Sequence, residues 1–185
     1  MKTVRFALVL VASLLLAACE NEQQAEMPPP FSLTAEAMGR YCGMNVLEHA
    51  GPKGQIILRQ IPEAIWFSSA RDTVAFTMLP DEPKEIAAIY VSDMGRAPSW
   101  DKPGAENWVD ARKAIFVIGS ARRGGMGAEE AVPFSEEAAA RDFASSNGGE
   151  VVKFDDLPES YILGEGGEGS EAADDAPAGG AHDHG

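Results

Sequence analysis

Between residues 55 and 154 the apolar positions fall into short runs separated by turn-forming residues. Gln55–Ile61 (QIILRQI) predicts a strand, and Gly51-Pro52-Lys53-Gly54 ahead of it is turn chemistry. Ile65-Trp66-Phe67 predicts a second short strand. Ser68 or Ser69 is placed to cap a helix running through Ala70–Phe76. Ile86–Ser92 and Ala114–Gly119 predict two further strands, separated by a loop from Gly95 to Trp108 rich in Pro, Gly and Trp. Ser135 is the expected N-cap of an Ala-rich helix that Asn147-Gly148-Gly149 ends, and Val151–Phe154 predicts a last strand. Met78 and Met94 lie in or beside apolar segments and are expected to pack.

Two places look alike. Phe67-Ser68-Ser69-Ala70-Arg71-Asp72 has a counterpart in Phe134-Ser135 followed by Ala140-Arg141-Asp142. Each is an aromatic, a serine cap and an Arg-Asp pair in a helix, flanked by short strands. Short mixed strands with two helices predict an α+β fold of two small related ββα-type halves packed as one domain.

The ends are different in kind. Lys2 and Arg5 precede the apolar run Phe6–Leu16, which is too short for a permanent span and ends in Leu16-Ala17-Ala18-Cys19. Small residues before a cysteine resemble a bacterial lipobox, so residues 1–18 are expected to be a lipoprotein signal peptide and Cys19 the lipidated first mature residue. Glu20, where an aspartate would signal inner-membrane retention, favours the outer membrane by resemblance to lipoprotein sorting. Residues 19–33, with Pro28-Pro29-Pro30, are expected to form the lipid-anchored linker, 34–163 the folded domain, and 164–185 a disordered acidic tail ending in His182-Asp183-His184. A domain of roughly 130 residues can bury a real core.

The formal net charge is −14, and the leader holds Lys2 and Arg5 but no acid, so the mature chain is more acidic still. That balance argues against nucleic acid as a partner.

With Cys19 lipidated, Cys42 is the one remaining thiol of the two cysteines, and no intramolecular disulfide can form. An unpaired cysteine in an oxidising compartment is a liability unless buried or used. Cys42 lies in the polar stretch RYCGMN, beside Met44 and one glycine away from it. Thiolate and thioether are soft donors that select Cu(I) over harder divalent ions. Alternate residues of an extended segment face one side, and Gly43 adds backbone freedom. Two sulfurs leave Cu(I) under-coordinated. Met126, between glycines in Arg123-Gly124-Gly125-Met126-Gly127, is the best further ligand, because a methionine on such a loop is badly placed to be core. His49 is a weaker candidate, and His182 and His184 are weaker still, as a terminal pair that could catch metal loosely.

The stretch YCGMNVLEHAGPKGQIIL and the later block GGMGAEEAVPFSEEAAARDFASSNGGEVVKFDDL resemble the NosL family of nitrous-oxide reductase accessory lipoproteins, over about residues 36–163. The resemblance implies two small ββα-type halves similar to the organomercurial lyase core. It also implies a periplasm-facing Cu(I) chaperone that delivers copper to the nitrous-oxide reductase maturation machinery, an ABC-type complex with a periplasmic β-helical partner. The family's Cys-x-Met pair falls on Cys42 and Met44, and its later methionine ligand on Met126. Lyase chemistry needs a cysteine pair and an acid, and one free thiol does not support it, so no enzyme activity is expected.

Two other readings compete. A thiol enzyme would use Cys42 as nucleophile, but the chain has no resolving cysteine and only His49 as a base. A non-catalytic envelope lipoprotein with a structural or docking role would keep Cys42 as a buried filler or an intermolecular disulfide.

Overall fold

A computed structural model describes residues 27–164 of the 185-residue chain. The leader, Cys19 and the His182–His184 tail lie outside the described residues. Among the described residues no helix is long and apolar enough to cross a membrane.

Among the described residues, seven strands and three α-helices follow one another: β1 (Gly54–Leu58), β2 (Ala64–Phe67), α1 (Ala70–Met78), β3 (Ile86–Ser92), β4 (Trp108–Asp110), β5 (Ile115–Ile118), β6 (Val132–Phe134), α2 (Glu137–Asn147), β7 (Glu150–Lys153) and α3 (Glu159–Leu163). They form two antiparallel sheets, ordered β2-β1-β3-β4 and β6-β5-β7. The fold is therefore α+β, as the sequence pattern predicts. The same connection, strand-strand-helix-strand with the first strand central, occurs once in each sheet.

Strand alternation explains the layering. Ile56 and Leu58 of β1, with Ile89 and Val91 of β3, face α1 and its Val74 and Phe76. Ile57, Ala88 and Tyr90 face the other way, toward Trp108. From the second sheet, Phe116 and Ile118 join the α1 layer, whereas Val117, Val132 and Phe134 pack on α2. One continuous core thus joins both halves. Helix α1 lies close on β1 because Gly54 has no side chain: a Cβ there would meet Thr73 Oγ1 at 1.8 Å.

The first predicted strand is shorter than the apolar run. Its pairing shifts register between Ile57 and Leu58, and Arg59–Ile61 turn out to the surface. Strands β4 and β6 and helix α3 are additional to the predicted set. Pro133 sits on β6, where an edge position tolerates its missing N–H. Helix α2 ends at Gly148, at φ 72°, where Asn147-Gly148-Gly149 predicts its end. Met78 and Met94 are partly buried against the two cores.

The caps divide unequally. Ser69, not Ser68, caps α1, with its Oγ accepting from Asp72 N at 3.2 Å. Ser135 is not the cap of α2. The helix starts after Glu136 with no side-chain cap, and Ser135 Oγ instead donates to Asp93 Oδ2 at 2.5 Å. Asp93 is buried and also accepts from Ser135 N and Gly95 N, so an interior carboxylate outcompetes the helix end. The halves mirror one another here. Ser69 Oγ donates to buried Glu130 Oε1 at 3.2 Å, so each half supplies a carboxylate to the serine at the other's strand-to-helix junction.

The N-terminal prolines lie on the first sheet. Tyr90 OH donates to Pro28 O at 2.7 Å, and the buried Gln55 side chain pairs with both backbone groups of Phe31. At the other end, Tyr161 OH donates to Glu130 O and accepts from Gly119 N, while Arg71 Nε donates to Ile162 O, tying α3 to the start of α1.

Candidate metal centre

Residues 38–49 run along the free edge of β2. Arg40 N donates to Trp66 O at 2.7 Å, and Gly39 makes a parallel bridge with Trp66. A tight turn follows, closed by Gly39 N to Met44 O and Gly43 N to Gly39 O, each 2.9 Å. Gly43 turns the chain at φ 62°, a conformation that suits glycine. Asn45 then caps a single 3₁₀ turn, Val46–Glu48, through Leu47 N. The chain is thereby doubled back, and the residues at its two ends meet.

The meeting point is Cys42 Sγ. It lies 4.0 Å from His49 Nε2, 3.5 Å from Ser68 Oγ and 3.9 Å from Met44 O. The sulfur occupies the space over Gly39, where a Cβ would come within 2.5 Å of it. Cys42 is half-buried and Met44 exposed at 38%, so the sulfurs sit at an accessible rim above the buried His49.

The Met126 loop reaches the same place from the second half. It is closed by Gly124 N to Ala128 O at 2.9 Å and by the Arg123–Glu129 bridge. A Cβ on Gly125 would fall 2.4 Å from His49 Cβ and 2.9 Å from Ala50 O, so glycine allows this loop to rest directly on His49. Met126, the next residue, is 56% exposed. The fold therefore brings the Cys42–Met44 turn, His49 and the Met126 loop to one face, although 77 residues separate His49 from Met126 in the chain. Trp100 and Trp108 serve packing: Trp100 stacks on Phe143, and Trp108 tilts against Trp66.

Three neighbours of the site are not marked as site residues by the sequence. Ser68 touches the thiol. Lys53 is 1% exposed, and its ammonium donates to Ala50 O at 2.9 Å and to Ser68 O at 3.4 Å. Burial lowers it from 10.5 to about 8, opposed by the negative charges of Glu130 and Cys42. Glu130 is fully buried, and desolvation pushes its carboxyl from 4.5 up to about 7 against the pull of Arg71 N, Ser69 Oγ and Ala131 N on its Oε1. Its Oε2 has no hydrogen-bond partner. The available signal was Lys53 between Gly-Pro and Gly at the mouth of a strand, a polar residue in a segment that turns out buried throughout.

Among the described residues no three His, Cys, Asp or Glu side chains assemble into a cage for a hard cation. What converges is one thiol, one imidazole and two loops carrying thioethers, a donor set for a soft, low-charge ion.

A family model described as NosL matches residues 30–162. The chain belongs to the NosL family. The copper-binding lipoprotein NosL of Achromobacter cycloclastes is 47% identical over 161 residues, covering 86% of this chain and 83% of that one. The copper-binding lipoprotein NosL of Stutzerimonas stutzeri is 33% identical over 165 residues, covering 89% and 80%. The crystal structure of the copper chaperone NosL from Shewanella denitrificans superposes with a TM-score of 0.67 at 32% identity, over 72% of this chain and 99% of that one. These NosL relatives are described by metal binding and chaperoning, in agreement with a non-enzymatic role.

Proposed function

We propose that this chain is a lipid-anchored, periplasm-facing Cu(I) chaperone, with Cys42, Met44 and Met126 as ligands and His49 in reserve as a fourth donor. The carrying observation is the convergence of Cys42 Sγ and His49 Nε2, 4.0 Å apart, beneath two exposed methionine-bearing turns. The thiolate supplies the one full negative charge, which neutralises Cu(I). The thioethers add soft donors without adding charge. Exposed sulfurs suit hand-over, because a recipient must reach the ion to exchange ligands. Binding displaces the thiol proton, so affinity falls as pH falls.

The anchor is the lipid on Cys19, placed in the outer membrane on the strength of Glu20. The recipient is the nitrous-oxide reductase maturation machinery, an ABC-type complex with its periplasmic partner, which the family resemblance implies. His182 and His184 serve as a loose accessory site. We also read the two halves, with their shared connectivity and reciprocal serine–carboxylate contacts, as related copies of one ββα unit.

The test is an anaerobic titration of the reduced, detergent-solubilised chain with Cu(I) against a chromophoric chelator. One equivalent should bind tightly, be lost in Cys42→Ser, be weakened in Met44→Leu and Met126→Leu, and be kept in His182→Ala/His184→Ala. Retention in Cys42→Ser with loss in the double histidine variant would move the site to the tail. No competitive binding at all would leave the structural or docking lipoprotein.

A further inference from the structure

We propose that Lys53 sets the charge selectivity of the Cys42 site, favouring a monovalent ion over a divalent one. The inference rests on the copper-binding reading above and names a residue that does not itself touch the ion. Lys53 is almost wholly withdrawn from solvent. Its ammonium is held behind the donors by two backbone carbonyls, that of Ala50, adjoining His49, and that of Ser68, whose hydroxyl lies 3.5 Å from Cys42 Sγ. A fixed positive charge therefore stands beneath the place where a metal ion would sit.

The groups that face Lys53 define the balance. The Cys42 thiolate and the Glu130 carboxylate are its charged neighbours. Asp101 and Lys102, of opposite sign and both exposed, share with Lys53 and His49 the wall of a cavity of about 350 Å³. Glu130 is held up at about 7 by burial, so it offsets the ammonium only in part at neutral pH. A +1 ion is cancelled by the thiolate and leaves the lysine charge alone. A +2 ion leaves one further positive charge beside that ammonium in a poorly screened interior, and no acidic cage compensates it.

Either ion displaces the thiol proton, so Cu(I) adds no net charge at the sulfur and a divalent ion adds one, which provides a signature that a purely structural lysine would not give. Removing the ammonium should therefore leave Cu(I) affinity nearly unchanged and raise divalent affinity. With an effective dielectric between those of water and the protein surface, Lys53→Met should tighten Co(II) about threefold. Lys53→Arg keeps the charge and should retain the wild-type ratio.

The experiment uses the reduced full chain in detergent under anaerobic conditions. Cu(I) is titrated against a chelator, and Co(II) is followed by thiolate-to-cobalt charge-transfer absorption, which in a Cys19→Ser background reports only ions bound at Cys42 and is silent to His182 and His184. A Co(II) gain of about threefold over a nearly unchanged Cu(I) affinity in Lys53→Met, absent in Lys53→Arg, supports the proposal. No gain for Co(II), or equal gains for both ions, overturns it while leaving the copper reading intact. Failure of the wild-type chain to bind Cu(I) overturns the reading beneath it instead. Should Lys53→Met not fold, Lys53→Gln removes the same charge while keeping an N–H donor for Ala50 O and Ser68 O. It should show the same Co(II) gain over an unchanged Cu(I) affinity, and equal or absent gains would refute the proposal.

Discussion

Gly39→Ala is a small change aimed at one atom. The Gly39 backbone does not adopt positive φ, so alanine is sterically allowed there apart from what its methyl meets. That methyl would sit 2.5 Å from Cys42 Sγ, 3.6 Å from Met44 O and 3.8 Å from Val46 Cγ2, where ordinary contact is 3.4–4 Å. Only the sulfur is in conflict. Relief therefore requires Sγ to move by roughly 1 Å, which takes it out of its place between His49 and Ser68. Ligand positions must be held to within about half an ångström, so Cu(I) affinity should fall about 10–100-fold. Stability should change by less than about 1 kcal/mol, because the lost glycine freedom in the unfolded chain offsets the local adjustment. Chelator competition reads the first quantity and urea unfolding of the apo protein reads the second. A folded Gly39→Ala protein that binds Cu(I) within about threefold of wild type would show that the ion does not depend on the sulfur's place over Gly39.

Glu130 makes a pH prediction. Burial raises its carboxyl from 4.5 to about 7, so between those values the native state holds a proton that the unfolded chain has lost. Stability should accordingly fall by about 3 kcal/mol as pH rises from below 4.5 through 7, and urea midpoints for Glu130→Gln should show much less of that slope. Ser135→Ala removes a donor from buried Asp93 and should cost about 1–3 kcal/mol in urea unfolding with Cu(I) affinity unchanged. His49→Ala should weaken Cu(I) about tenfold without abolishing it, since the sulfur donors remain, and a complete loss by chelator competition would promote His49 to an essential ligand.

Elements carried by hydrophobic alternation were legible in the sequence. β3 has the bounds its apolar run predicts, and β1, α1 and β5 differ only at their ends. The three-residue strands β4 and β6 were not legible, because neither spans a full alternation and Pro133 reads as a breaker until the strand is known to be an edge. Ser135 reads as a cap and is not one, because a serine before an Ala-rich helix carries no sign of the carboxylate that recruits it from 42 residues away. At the site, the soft donors were legible from residue type and glycine context. Lys53 and Glu130 were not, since a buried charge is created by tertiary packing and leaves no periodic trace. Ser68 reads in the sequence only as a candidate cap, the role that Ser69 fills.

The central claim, a sulfur-dominated Cu(I) site built on Cys42, Met44 and Met126, is tested most directly by copper K-edge X-ray absorption on the Cu(I)-loaded chain beside its Met126→Leu variant. The account predicts a three-coordinate or four-coordinate first shell of mostly sulfur in the wild type, with sulfur scattering visibly reduced in the variant. A first shell of nitrogen and oxygen alone, or spectra that do not change in Met126→Leu, would contradict it.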